Sequence, residues 1–252
     1  MDDTRPIAAH CRERRLGLLA MAPRPIFVHG AGGSAGTWQH QEPRFEGCYV
    51  LALPGHPTGA AFSSVGAYAE WTAHAIAEIP GPRVVVGHSM GGAVGLQLAL
   101  DHPELVDGLV IIASGPQLFV PDAAFELAKN DLPAECERLL RKGWVDPDDA
   151  TIAAEVAQMV AAGPQTLVCD YTACRAFDVT DRLAEVQVPV LIVAGERDQL
   201  TPLSLSAKLT QGLRQCIQVI VPGSGHWVMK EYSATVDLLI AGFLARLELS
   251  VD

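Results

Sequence analysis

Arg83-Val-Val-Val-Gly87-His-Ser89-Met-Gly91-Gly92 passes from a β-branched apolar run straight into a glycine cluster, and residues 92–101 continue with helical periodicity. Three successive valines suit a strand that is buried on both faces. Within the stretch, Gly87-His-Ser-Met-Gly91 fits the pattern G-x-S-x-G. A strand that turns this sharply into a helix strains the backbone at the turn, and only very small neighbours let strand and helix approach. The residue at the turn then stands exposed, with the amides of the helix N-terminus directed at any negative charge that develops beside it. Ser89 occupies that place and is the predicted nucleophile.

Working outward, five further short apolar runs recur: Pro25–His29, Tyr49–Leu53, Leu109–Ala113, Pro189–Ala194 and Ile217–Val221. Stretches with helical spacing separate them, at Tyr68–Ile79, Leu203–Leu213 and Tyr232–Leu247. Alternating strand and helix predicts an α/β fold, with a mostly parallel central sheet and helices on both faces. Between Ala113 and Pro189 the rhythm breaks. Amphipathic pieces such as Ala134–Lys142 and Ala150–Ala162 are punctuated there by Pro116, Pro121, Pro133, Pro147 and Pro164. A connection of that length is not structureless in a compact domain. The expected organisation is a core of residues 1–114 and 188–252 with a helical lid inserted at 115–187.

A serine hydroxyl needs a base. Of the eight histidines, only His226, in Gly223-Ser-Gly-His-Trp227, follows the last strand-like run. His10, His40, His74 and His102 are expected in solvent, and His29, His56 and His88 are expected to bond within turns of the core. Gly195-Glu-Arg-Asp198 follows the fifth run, and Asp198 is preferred over Glu196 as the acid that orients His226 because it lies deeper in the loop. It could also cap the helix that starts beyond Pro202. The order Ser, Asp, His is the chain order this frame requires. A tetrahedral intermediate needs two backbone donors. Met90 N–H, after the nucleophile, is one; Ala31 N–H, in His29-Gly-Ala-Gly-Gly33, is the other. That glycine-rich loop lacks the Gly-Lys-Ser/Thr of a phosphate loop and the spacing of a dinucleotide fingerprint. Phe119, Trp144 and Trp227 are candidates for substrate contact, with Phe125, Met159, Tyr171 and Phe177 split between pocket and lid core.

Composition agrees. The 252 residues are 49% hydrophobic and 19% charged, with a formal net charge of -11. So apolar a chain buries a full core. So acidic a chain repels nucleic acid and anionic membrane surfaces and suits a small-molecule substrate. The six cysteines form no CxxC or Cys/His cluster and are expected to be free thiols. No metal-ligand cluster or cofactor motif stands out, and no cofactor is expected. No apolar run reaches the roughly 18 residues of a membrane span. Residues 12–22 loosely imitate a signal peptide, but Asp2 and Asp3 precede them and the apolar part is short; a cytoplasmic protein is expected.

With His-Gly-Ala-Gly-Gly, Leu53-Pro-Gly-His56, Gly-His-Ser-Met-Gly-Gly, Gly-Glu-Arg-Asp and Gly-Ser-Gly-His-Trp in this order, the chain resembles the α/β-hydrolase fold superfamily over nearly its whole length. Within it the chain is similar to the bacterial esterases, enol-lactonases and C–C hydrolases. The resemblance implies hydrolysis of an ester or related acyl substrate through an acyl-enzyme, with lactonase or diketone hydrolase as alternatives and a non-catalytic binding homologue as the rival of another class. Two departures stand out: few residues precede the His-Gly strand, where a β-hairpin is usual, and Pro57 replaces the commoner glycine after His56.

Overall fold

A computed structural model describes residues 22–248. Cys11, His10, nearly all of the signal-like segment and the place of the expected hairpin lie outside the described residues. In chain order the elements are β1 (Arg24–Val28), β2 (Tyr49–Leu51), α1 (Val65–Ile76), β3 (Arg83–His88), α2 (Met90–Asp101) and β4 (Gly108–Ile112). Four helices follow, α3 (Asp122–Asn130), α4 (Leu132–Gly143), α5 (Asp149–Val160) and α6 (Pro164–Ala176). Then come β5 (Val190–Gly195), α7 (Leu203–Gly212), β6 (Cys216–Val221), α8 (Val228–Glu231) and α9 (Ser233–Glu248).

The strands form one parallel sheet in the order β2-β1-β3-β4-β5-β6. Side chains alternate between its faces. Ile26, Val28, Val85, Leu109, Ile111 and Ile192 join one apolar cluster with residues of α1, α2 and α7. Phe27, Val84, Val86, Val110, Ile112 and Val193 join another with Val236, Ile240 and Phe243 of α9. Burial on both faces explains why these strands read as unbroken apolar runs. The expected parallel sheet with helices on both faces is the observed architecture. Strand order reverses between β1 and β3, and in open sheets of this kind ligands bind beyond the carboxyl ends of the strands at such a reversal.

Four of the prolines between β4 and β5 mark helix starts. Pro121 precedes α3, Pro133 and Pro164 sit in the first turns of α4 and α6, and Pro147 stands just before the Asp148 cap of α5. A first-turn residue needs no intrahelical N–H bond, so proline is tolerated there. The stems of this segment meet through an antiparallel bridge between Gln117 and Asp178. Two helix expectations shift. The α1 helix begins at Val65 because Ser64 Oγ accepts Ala67 N–H at 3.2 Å, and Tyr232 divides the C-terminal helix into α8 and α9.

A sharp packing constraint lies where α2 crosses β1. A Cβ on Gly91 would run into the backbone carbonyl of Val28. Gly91→Ala is therefore expected to destabilise the protein by about 1–3 kcal/mol, as overpacking against unyielding backbone does. The check is a urea midpoint; an unchanged midpoint would show that β1 gives way freely.

Candidate active site

Ser89 sits between β3 and α2 with φ 53° and ψ -118°. A non-glycine residue held there carries about 1–3 kcal/mol of strain and persists only where its surroundings over-determine it. They do so here. Ser89 N–H donates to Ile112 O at 3.0 Å. Ser89 O accepts the Ser114 hydroxyl at 2.7 Å and the amides of Gly92 and Ala93. A Cβ on Gly87 would collide with the Gly91 carbonyl, which accounts for the first glycine of the motif.

His226 and Asp198 come from the loops after β6 and β5. His226 Nδ1 donates to Asp198 Oδ2 at 2.8 Å, and both residues are buried. That bond leaves Nε2 with its lone pair. Thr201 Oγ1 donates to the same carboxylate oxygen at 2.6 Å, while Leu200 and Thr201 N–H donate to Asp198 Oδ1 at 2.8 Å each. Asp198 thus organises the turn before α7 and holds the histidine as well. Burial pushes its carboxyl up, but the charge and hydrogen bond of His226 and the bonds from Thr201 outweigh burial and hold it below the usual carboxylate range. Glu196 is exposed and accepts Gly223 N–H at 2.8 Å instead. Ser89 and His226 open on one cavity of about 350 Å³, also lined by Gly30, Ala31 and His88. The Ser89 hydroxyl makes no hydrogen bond among the described residues. Such a contact commonly tightens only when substrate is present.

The loop after β1 aims its amides by elimination. Gly30 O accepts the His29 Nδ1 proton at 2.8 Å and Gly33 N–H at 3.0 Å. In a trans peptide the next N–H points opposite the carbonyl, so Ala31 N–H faces away from the loop interior. Neither it nor Met90 N–H has a hydrogen-bond partner among the described residues. Ala31 lines the cavity; the Met90 side chain, at the first position of α2, is buried and does not line it.

Phe119 and Trp227 are on the cavity wall, Phe119 at an exposed rim and Trp227 buried. Trp144 is not on the wall. It stacks on Trp227, ring centroids 6.0 Å apart, and so backs a wall residue rather than facing the cavity. Tyr171 reaches the wall while its hydroxyl donates to buried Glu135 at 2.6 Å. Phe125, Met159 and Phe177 do not. Residues absent from the sequence reading also line it, notably Arg138, Lys142 and Thr201. Among the described residues no group of three or more His, Cys, Asp or Glu is arranged to hold a metal, and no helix is long and apolar enough to cross a membrane.

Behind the loop lies a buried polar network. Asp170 of α6 is wholly buried. Its Oδ2 accepts Gly32 N–H and His56 Nε2–H, each at 2.8 Å, and its Oδ1 accepts the Tyr68 hydroxyl at 2.6 Å. His56 Nδ1 donates to the Leu53 and Pro54 carbonyls at 3.2 and 3.1 Å. With both ring nitrogens donating, His56 is an imidazolium. Burial works against that charge, but the Asp170 bond and charge and the two carbonyls outweigh it and raise His56 above the usual histidine range. His29, whose Nε2 accepts Leu53 N–H, is pushed down to about 3 by burial and by the neighbouring His56. His56 therefore bonds beyond its own turn, where only local bonding was expected.

A raised folded pKa makes the folded state bind the proton more tightly than the unfolded one. The His56 contribution to stability is then full below about pH 6.5, the ordinary histidine value, and is lost as pH rises through the raised one. The ionisable groups that act on it are Asp170 and His29, while Tyr68 bonds the other oxygen of Asp170. Melting temperatures of wild type and His56→Gln should converge between pH 6 and pH 10; a constant difference would contradict a charged His56.

Comparisons with known proteins place the chain in a family. The alpha/beta hydrolase family profile matches residues 26–238. The pimeloyl-[acyl-carrier protein] methyl ester esterase of Yersinia enterocolitica is 26% identical, over 86% of this chain and 92% of that protein. RutD of Variovorax paradoxus, named as a candidate carbamate hydrolase, is 30% identical over 88% of this chain and 91% of its own. A solved thermophilic esterase superposes with a TM-score of 0.80 at 26% identity, covering 88% of this chain and 90% of that one. The chain belongs to the alpha/beta hydrolase family and is a hydrolase of that fold.

Proposed function

We propose that the protein cleaves a carboxylic ester or related acyl substrate through an acyl-enzyme on Ser89. One observation carries this reading: a strained serine, a histidine bonded to a buried carboxylate and the loop of the unpaired Ala31 amide meet at one cavity, and the unpaired Met90 amide directly follows that serine. His226 Nε2 takes the Ser89 proton as Oγ attacks the carbonyl carbon. The resulting oxyanion is held by Ala31 and Met90 N–H. His226 then protonates the leaving group, and water repeats the sequence on the acyl-enzyme. Asp198 holds the histidine tautomer and stabilises the imidazolium without taking its proton. The relatives named for a methyl ester and for a carbamate both act on a carbonyl bearing a heteroatom leaving group, which supports the same reaction class here.

In this reading the segment 115–187 is a lid over the site, supplying Phe119, Leu139 and Tyr171 to an apolar wall. The charged residues on that wall are Arg138 and Lys142, and no carboxylate joins them. Arg138 is bonded twice to Glu135, whereas Lys142 has no partner among the described residues. The wall therefore suits substrates that are neutral or anionic and disfavours cationic ones.

Wild type should hydrolyse p-nitrophenyl esters of short to medium acyl length. Ser89→Ala should lose at least about 10³-fold in kcat, and Asp198→Asn a comparable amount, because triad members act as a unit. Turnover that survives in Ser89→Ala would sink the mechanism. Asp198, held below the usual carboxylate range, should stay ionised and keep orienting the histidine down through mildly acid pH. Lys142→Glu should raise KM severalfold for a hemisuccinate ester and leave a neutral ester of equal size unchanged. Equal effects on both would remove Lys142 from recognition.

A further inference from the structure

Glycine-rich loops are flexible, yet an oxyanion donor stabilises charge only if it is already aimed. In this chain the two peptide planes that flank the Ala31 Cα are anchored separately. The plane carrying Gly30 O and Ala31 N–H is held at the oxygen by His29 and Gly33. The plane carrying Gly32 N–H is held by Asp170 Oδ2, a group 138 residues away in sequence. Gly32 adopts φ +63°, and a Cβ there would press on Met159 and Leu167 of α5 and α6. The loop is thus seated directly on the inserted helices.

Asp170 is well placed to be a firm anchor. It is fixed by two other donors, Tyr68 on α1 and His56 in the loop after β2, and no part of it reaches solvent. A buried ion pair is a poor source of net stability, and apolar residues of similar volume often replace one without loss. Here one oxygen is shared between the ion pair and a backbone amide, which an apolar replacement could not reproduce.

We propose that Asp170 is a positioning residue for the reaction: by binding Gly32 N–H while locked to His56 and Tyr68, it holds Ala31 N–H towards the carbonyl attacked by Ser89. It touches no substrate, since it does not line the cavity. The inference rests on the hydrolytic function proposed above, because the aim of Ala31 matters only if an oxyanion forms.

The test is Asp170→Asn, which keeps the shape and removes the charge. With a p-nitrophenyl ester, kcat should fall about 10–100-fold, less than the 10²–10³-fold typical of losing an oxyanion donor outright, and KM should stay within threefold. Affinity for an alkyl boronic acid, which becomes tetrahedral on Ser89, should fall by the same factor as kcat/KM. Affinity for the carboxylic acid product should not change. Unaltered kcat, a change confined to KM, or equal loss of boronate and product binding would overturn the proposal. If Asp170→Asn does not fold, Tyr68→Phe carries the test, with a threefold to tenfold loss showing the same pattern. If wild type hydrolyses no ester and binds no boronate, the proposed function fails. Amide exchange of residues 29–33 then decides the positioning: at least tenfold faster exchange in the variant supports it, and unchanged exchange overturns it.

Discussion

The backbone of α2 lies directly against the backbone of β1, with no side chain between Gly91 and the Val28 carbonyl. This contact places the rest of the site. It brings the N-terminus of α2 beside the loop that leaves β1, so that Met90 N–H and Ala31 N–H belong to the same small region. It also forces the abrupt turn that strains Ser89, and the strain is held by bonds to Ile112 and Ser114 at the end of β4. Strain at a turn and close approach of two main chains are therefore one requirement, which only glycine on either side of the serine can meet.

Around that turn the inserted helices grip the core at both sides of the cavity. On one side, Asp170 of α6 holds Gly32. On the other, the Gly143 carbonyl at the end of α4 accepts His226 N–H at 2.6 Å, and the Glu231 carboxylate accepts the amides of both Val145 and Gly225. An ion pair between Lys230 and Glu155 joins α8 to α5. The neutral His88, pushed far below the histidine range by burial and by His226, donates from Nε2 to the His226 carbonyl and completes the support of that loop. The helices therefore act less as a cover than as a brace for two loops that arise from opposite ends of the sequence.

How much of this could be read beforehand depends on the range of the interaction. The central strands were legible because burial on both faces leaves an unbroken apolar run, and the Ser89 turn because its glycines are local to it. Asp198 and His226 were legible as positions after strands, although their partner Thr201 was not; its spacing of three after an aspartate is a capping signal that points to it. Asp170 left no trace. It lies in the middle of α6, and its three partners come from three other segments. Trp144 was an aromatic in the right segment, but composition cannot say whether a ring faces a cavity or backs the ring that does. The division of the last helix at Tyr232 likewise follows from packing, with no proline or glycine to announce it.

The hydrogen bond from His226 N–H to the Gly143 carbonyl joins the loop of the proposed general base to the inserted segment. Residues 115–187 are contiguous and leave the core through a single pair of stems at Gln117 and Asp178, so topologically they could be cut out and replaced by the equivalent helices of a relative. Energetically they are not a separate module. A transplanted segment would have to bring its own carbonyl at the place of Gly143 and its own carboxylate at the place of Asp170, in register with loops it did not evolve beside. Substrate range in this chain is thus better altered by single side chains on the cavity wall than by exchange of the whole segment.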